Sequence, residues 1–279
     1  GAVKINTEKI NVTEKYKLSE KVEYCKKCVV SNQRPRIIFD EQGVCNACLY
    51  WERKSQVVDW SSREEEFKDL CDRFRRKDGR HDVIVPSSGG KGNGFILNIL
   101  KEKFGMHPLT VTFSPAIPTE IGYQNLFNMS YFGFDNLRFT ANGDIHKKIS
   151  KISLKDLGHC FLPFAYGQMN IPLQVSVKFN IPFIMFGENG DLETGGNLAK
   201  LDIPTLEISP TTSDTKFSGL PKPTATSELS YENWLPDGIK IEDLKLYLPP
   251  TTTEIKKVGV EEHYFSYYYN WKPEEHYEI

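Results

Sequence analysis

The sequence predicts an α/β fold, a parallel sheet with helices on both faces, preceded by a small cysteine-rich module. Three observations predict it. Strand-length apolar runs alternate with helical patterns across roughly 110 residues, the signature of a covered parallel sheet. A Ser/Gly-rich turn stands between the first of those runs and the helix that follows it. Ahead of it, four of the six cysteines occur as two CxxC pairs. The 279 residues, 39% hydrophobic and 26% charged, have room for one fair-sized domain plus an appendage and exclude a disordered or collagen-like chain.

Taken in order, residues 1–22 are polar, rich in Lys and Glu, and read as an N-terminal arm. Residues 23–55 form the cysteine-bearing module. Residues 56–80 are a connecting segment with a helix over 59–77, capped by Ser61 or Ser62, with Glu64, Glu65 and Glu66 in its first turn. Trp60, Phe67, Leu70, Cys71 and Phe74 share or flank one face of it. The main domain spans 81–200. It begins with the strand of HDVIVP, the glycine turn, and a helix carrying Phe95, Ile96, Ile99, Leu100 and Phe104. HPLTVTFSP is a second strand, TEIGYQNLFNMSYFGF a helix and DNLRFT a third strand. Helices over 144–157 and 166–179 then lead to the strand of IPFIMFGENG. Residues 201–279 are Pro/Thr-rich, then aromatic, and are expected to form a C-terminal subdomain or arm.

Lys+Arg at 35 against Asp+Glu at 37 leave a net charge of −2, which is not a surface built to neutralise a phosphate backbone. Nucleic acid is therefore not an expected partner. No run approaches the roughly 20 apolar residues of a membrane span, and the first residues lack the apolar core of a signal peptide. A cytoplasmic location without membrane attachment is expected.

Cys25 and Cys28 are separated from Cys45 and Cys48 by a 16-residue spacer, within the range of a four-thiolate zinc knuckle or ribbon. Four thiolates close the tetrahedron, so the zinc is expected to be structural. Cys71, on an apolar helix face, and Cys160, beside Phe161, read as packing residues.

In the glycine turn, Ser87, Ser88, Gly89, Gly90 and Lys91 sit where backbone N–H groups and a helix dipole can hold an anion. Glycines permit close approach to phosphate, the hydroxyls donate, and Lys91 adds a compact charge. The turn matches neither GxxxxGK[ST] nor GxGxxG. It resembles instead the SGGKDS signature of PP-loop ATP pyrophosphatases, matched at Ser88, Gly89, Gly90 and Lys91. The match departs at Gly92 and Asn93, where that family has an acid and a hydroxyl residue.

A narrower resemblance rests on the ordered blocks YCKKCVVSNQRPRIIFDEQGVCNAC, SSGGK, HPLTVTFSP, PTEIGYQNL, LPFAYGQ, IPFIMFGENG and YYYNWKP. Together they resemble the N-acetyl sugar amidotransferases of bacterial surface-polysaccharide and nonulosonate pathways. The resemblance implies a PP-loop, HUP-like fold that uses ATP and Mg²⁺ beside the structural zinc. It implies that ATP adenylates the acetamido oxygen of an N-acetylated (nucleotide-)sugar, releasing pyrophosphate. Ammonia from a separate glutaminase subunit then displaces AMP to leave an acetamidino group. A PP-loop tRNA-modifying enzyme and a non-catalytic nucleotide-binding subunit are the alternatives, and homo-oligomer formation stays open.

On that resemblance Lys91 and Glu188 are expected in catalysis, Glu188 holding Mg²⁺ or orienting ammonia. Ser87, Ser88, Gly89, Gly90, Ser114, Gly187, Asn189 and Gly190 are expected around the nucleotide. Thr119, Glu120, Tyr123 and Asn125, after the second strand, are assigned to substrate. So are Tyr166 and Gln168, in a polar turn ahead of the next helix that serves equally as a helix cap. His146, His159, His263 and His276 show no ligand spacing and read as surface or core histidines.

Overall fold

The computed structural model describes residues 19–34, 36–157, 159–187, 189, 203–206 and 238–270, and every structural statement below concerns these. They fall in two compact units, one holding residues 19–58 and the other 59–189, 203–206 and 238–270.

The first unit is a pair of knuckles on a short helix, α1 (Asn46–Gln56). Bridges Tyr24↔Ser31 and Phe39↔Cys45 hold the turns, and Asp40 Oδ1 accepts from the amides of Gln42 and Val44. Gly43 takes φ +80°, the left-handed conformation that closes the turn back to Val44. Cys25, Ile37, Val44 and Cys45 are buried and form a small core of their own.

The second unit is the α/β fold. It opens with α2 (Trp60–Phe74), capped by Asp59, whose side chain accepts from the amides of Ser61 and Ser62. The cap is thus two or three positions earlier than the serines predicted, because the carboxylate satisfies both orphan amides at once. There follow β1 (Val83–Pro86), α3 (Lys91–Asn98) running into a π-turn (Ile99–Lys103), β2 (Pro108–Phe113), α4 (Glu120–Tyr131) and β3 (Asp135–Phe139). Next come α5 (Gly143–Leu157), α6 (Leu162–Phe179), β4 (Phe183–Phe186) and β5 (Thr205–Leu206). A 3-10 turn (Ile241–Leu244), α7 (Thr252–Val258), β6 (Glu261–Tyr264) and the one-turn α8 (Phe265–Tyr268) complete it.

The sheet order is β3-β2-β1-β4-β6-β5, parallel throughout except for β5 against β6. Its central strands are buried on both faces, which is why VIVP and FIMF read as unbroken apolar runs. Helix α6 lies so close to β2 that a Cβ on Gly167 would stand 2.3 Å from the Phe113 ring.

Residues 238–270 differ from the subdomain or arm expected of them. Strand β6 pairs with β4 inside the same sheet, register Phe183↔Glu261 to Phe186↔Tyr264. The aromatic block after it is core: Phe67 of α2 is ringed by Phe104, Phe265, Tyr268 and Tyr269 at 4.9–5.8 Å between centroids. Four aromatics at these distances add interaction beyond their buried area, about 0.5–1.5 kcal/mol per pair. Among the described residues, no helix is long and apolar enough to cross a membrane.

Candidate nucleotide site and metal centre

Because β1, β2, β3, β4 and β6 run parallel, their carboxyl ends share one edge. Chain order moves outward from β1 through β2 to β3, then returns to the other side of β1 with β4. The reversal leaves a crevice between the loops after β1 and β4, the usual ligand position in an open parallel sheet.

The loop after β1 is built for a close backbone approach. Ser87 is buried, its amide extending the ladder to Val111 O at 2.9 Å. Its hydroxyl oxygen accepts from Gly89 N at 3.2 Å and sits 3.4 Å from Met129 Sδ. Gly89 holds φ +80°, and a Cβ there would meet Leu126 N at 3.0 Å and Gly122 O at 3.2 Å, so α4 presses on the loop. Gly90 is the N-cap of α3 and offers no side chain to its first amides. With no acid in that first turn either, the dipole end of α3 faces the crevice. Asn93 does not point there: its amide donates to Pro86 O at 2.7 Å and ties α3 to the end of β1. The Lys91 side chain lies outside the described residues.

The opposite wall is the loop after β4. A Cβ on Gly187 would contact Ile96 Cδ1 at 3.4 Å, which packs this loop against α3. Buried Asn189 donates its amide to Ser266 Oγ at 3.1 Å, and Ser266 N donates to Gly187 O at 2.9 Å. Ser266 thus fastens this loop from a segment 77 residues downstream, and no motif in the sequence marks it. Glu188 and Gly190 lie outside the described residues.

The remaining predicted positions separate. Ser114 stands on the same edge at the end of β2, with its amide on Phe139 O and its hydroxyl accepting from Thr140 at 3.2 Å. Thr119 is the N-cap of α4, its Oγ1 accepting from Gly122 N at 3.1 Å. The α4 residues that touch the glycine loop are Gly122, Leu126 and Met129. Glu120 projects about 160° away from that stripe at helical spacing, and Asn125 flanks it. Tyr123 lies beneath the Arg138 guanidinium, 4.8 Å from its ring centroid. Tyr166 and Gln168 are not in a turn before a helix: α6 starts four residues earlier, at Leu162, with Pro163 in its first turn. Proline fits that position because its missing N–H would be unpaired there anyway. Both side chains are half-buried on α6.

His146, in the first turn of α5 after β3, bonds through Nδ1 to the Tyr247 hydroxyl at 2.9 Å. Burial lowers its pKa below the ordinary 6.5, so the ring is neutral at neutral pH. His263 is buried between the Tyr268 hydroxyl at 2.8 Å and Glu261 at 3.1 Å. Burial also lowers its pKa, partly offset by Glu261. Cys71 is fully buried and burial pushes its thiol up to about 12, which suits a packing residue. Cys160 is exposed, contrary to the packing role expected of it, because it falls on the turn ahead of α6.

In the first unit the four cysteines come together, with their sulfurs within 4.8 Å of one another. Cys25 to Cys48 is 3.9 Å and Cys28 to Cys45 is 3.7 Å. A tetrahedron with Zn–S of about 2.3 Å has an edge of about 3.8 Å, so this spacing fits a bound zinc and is far from a disulfide. Burial raises the Cys25 thiol, and donors from the Cys45, Lys27 and Cys28 backbone outweigh it, bringing it down to about 6. Burial and the neighbouring thiols raise Cys45 and Cys48. Neighbouring thiols so close resist ionising together, and a divalent cation among the four sulfurs would release their protons and pair the thiolates.

No family model matches the chain. An uncharacterized protein of Methanocaldococcus jannaschii is 24% identical over 107 residues, and the chain spans 38% of the length of that curated relative, using 38% of its own. A solved structure from the same organism, described as a predicted subunit of tRNA methyltransferase, is similar at 18% identity and a TM-score of 0.26. The overlap covers 56% of this chain and 72% of that one.

Proposed function

We propose that the chain binds ATP through the loop from Ser87 to Lys91 and adenylates the acetamido oxygen of an N-acetylated (nucleotide-)sugar, which ammonia then converts to an acetamidino group. The observation that carries the reading is the glycine loop at the strand-order reversal, left-handed at Gly89 and opening onto a helix start with no side-chain cap. Backbone amides so arranged stabilise the charge that grows on a departing pyrophosphate at no cost in reorganisation. In this reading Lys91 adds charge to that cradle, Glu188 holds Mg²⁺ or orients ammonia, and Ser114, Gly187, Asn189 and Gly190 line the nucleotide. The acceptor class comes from the resemblance of the ordered sequence blocks. The four-cysteine module holds zinc in a structural role.

A second reading is a PP-loop enzyme that modifies tRNA. The four-cysteine module ahead of the same loop favours it, and the description of the similar solved chain names that substrate class too. A third is a nucleotide-binding subunit without chemistry, which Gly92 and Asn93 in place of an acid and a hydroxyl favour.

One assay separates the three: ATP, Mg²⁺ and an ammonium salt are incubated with the chain and either a nucleotide-linked N-acetyl sugar or tRNA, and AMP is measured. AMP that depends on sugar supports the amidotransferase. AMP that depends on tRNA replaces it with the modifying enzyme, and ATP binding without AMP leaves a binding subunit. Failure to bind ATP at all sinks every version.

A further inference from the structure

The proposed adenylation leaves one proton without an acceptor. As the acetamido oxygen attacks the α-phosphorus, the amide nitrogen turns acidic and must give up its hydrogen. Backbone amides and a lysine ammonium have no lone pair to take it. His146 has one, in a fixed position. It stands in the first turn of α5, which follows β3 on the same carboxyl edge as the glycine loop, and β3 lies two strands, about 10 Å, from β1. Asn142 Oδ1 caps that turn by accepting from the Asp144 and Ile145 amides. The imidazole is 6.4 Å between centroids from Phe113, the last residue of β2, and stacks on Tyr247 at 5.9 Å.

The ring is oriented from behind. Nδ1 is bonded to the hydroxyl of buried Tyr247 at 2.9 Å. Tyr247 is fastened in turn: buried Asn170 donates to its carbonyl at 2.6 Å, and Gln174 donates to Lys245 O and Leu248 O on either side. Nε2 has no partner among the described residues and is not one of their buried unpaired atoms, so it reaches solvent. A base held at one nitrogen by a third group and open at the other is the arrangement of general-base catalysis. With the proton on Nδ1 and donated to the phenol oxygen, the lone pair lies on Nε2.

The surroundings keep this ring neutral. Burial lowers its pKa, Asp144 on its own turn is paired with Lys148 at 2.9 Å, and burial raises the Tyr247 phenol so that it stays protonated. Lys147 beside it and Lys245 on the Tyr247 segment are exposed. From β2 and α6 it is approached by uncharged Phe113 and, through Tyr247, Asn170.

We propose, resting on the adenylation reading above, that His146 is the base that takes the acetamido N–H proton through Nε2. The carbonyl oxygen bonds to phosphorus and pyrophosphate leaves with the electron pair of the broken P–O bond. The N–H pair becomes the C=N bond of a neutral imidate, and the proton passes to Nε2 and on to solvent. Ammonia then supplies the three N–H hydrogens that the amidinium product carries as AMP departs.

Exchange of labelled pyrophosphate into ATP, dependent on a nucleotide-linked N-acetyl sugar and run with Mg²⁺ but no ammonia, isolates this step. The wild-type rate should rise with pH and level off above about 6.5. His146→Asn keeps a polar atom where Nδ1 stands and removes Nε2. It should lose about 10²-fold or more in exchange rate, together with that pH dependence, at unchanged ATP affinity. Tyr247→Phe keeps the stacked ring, releases Nδ1, and should lose up to about tenfold in rate at saturating sugar with little change in KM. His146→Asn exchanging at the wild-type rate, or with the wild-type pH profile, overturns the role of His146 alone. So does a loss matched by lost ATP affinity, which marks a structural residue, or a Tyr247→Phe chain as fast as the wild type. A wild-type chain that binds ATP and shows no exchange overturns the adenylation reading and this role with it.

Discussion

Replacing Gly89 with alanine tests the glycine loop, with Gly79→Ala as its reference. Both glycines hold a left-handed backbone, φ +80° and +73°. A Cβ at Gly79 meets nothing within 4 Å, so that substitution isolates the conformational cost, about 1 kcal/mol. At Gly89 the same cost applies, and the new methyl also meets Leu126 N at 3.0 Å, Leu126 Cγ at 3.1 Å and Gly122 O at 3.2 Å. Two of these three atoms are α4 backbone and cannot rotate away, so overpacking adds about 1–3 kcal/mol. At about 2–4 °C per kcal/mol, Gly79→Ala lowers the thermal midpoint by a few degrees and Gly89→Ala by on the order of 10 °C. Thermal unfolding by circular dichroism reads the first effect and calorimetric ATP titration the second. ATP affinity should fall at least about tenfold for Gly89→Ala and stay unchanged for Gly79→Ala. Equal midpoints for the two variants would refute the packing of α4 on the loop, and unchanged ATP affinity would refute the loop as the phosphate cradle.

Gly167→Ala sets a methyl within 2.3 Å of the Phe113 ring and should cost about 3 kcal/mol or more, read as a lowered urea midpoint at constant m-value. Cys45→Ser should take zinc content from one ion per chain to near none by emission spectrometry, and retained zinc would show that the thiolates are not its ligands. The pKa values of His146 and His263 are both lowered by burial, so as pH falls below about 6.5 the unfolded chain takes up protons first. Stability is therefore full well above that value and is lost as pH falls through it towards the lowered folded-state values; the thermal midpoint should drop as the pH is taken below about 6.5, and less steeply in His146→Gln. Gly92→Asp with Asn93→Ser restores the PP-loop pattern. It gives up the Asn93 to Pro86 bond, about 1 kcal/mol, yet should raise AMP formation, and no gain would sink the account of the loop.

Periodicity carried β1 to β4 and the helices between them, because buried parallel strands are short apolar runs and their helices repeat near 3.6 residues. The cysteine cluster was legible for a similar reason: a CxxC turn places two sulfurs by local geometry alone, leaving one hairpin to join the pairs. Caps were less legible. Asp59 and the Pro163 start of α6 each lost to a nearby plausible signal, since several residues can satisfy the same orphan amides. Positions 119–125 show the limit of spacing. They follow a strand on the correct edge, but only the turn of α4 decides that Gly122 meets the loop while Glu120 is directed elsewhere.

By itself the sequence determined what is encoded within a few residues: the thiol pairs, the glycine turn between strand and helix, and the alternation that makes a covered sheet. Tertiary structure alone decided that residues 261–264 enter that sheet beside β4 and that Ser266 anchors the loop at Gly187 and Asn189. The physical reason is separation along the chain. Contacts between segments 77 residues apart leave no local period, and the burial that stabilises them exists only once both are folded against the same strands.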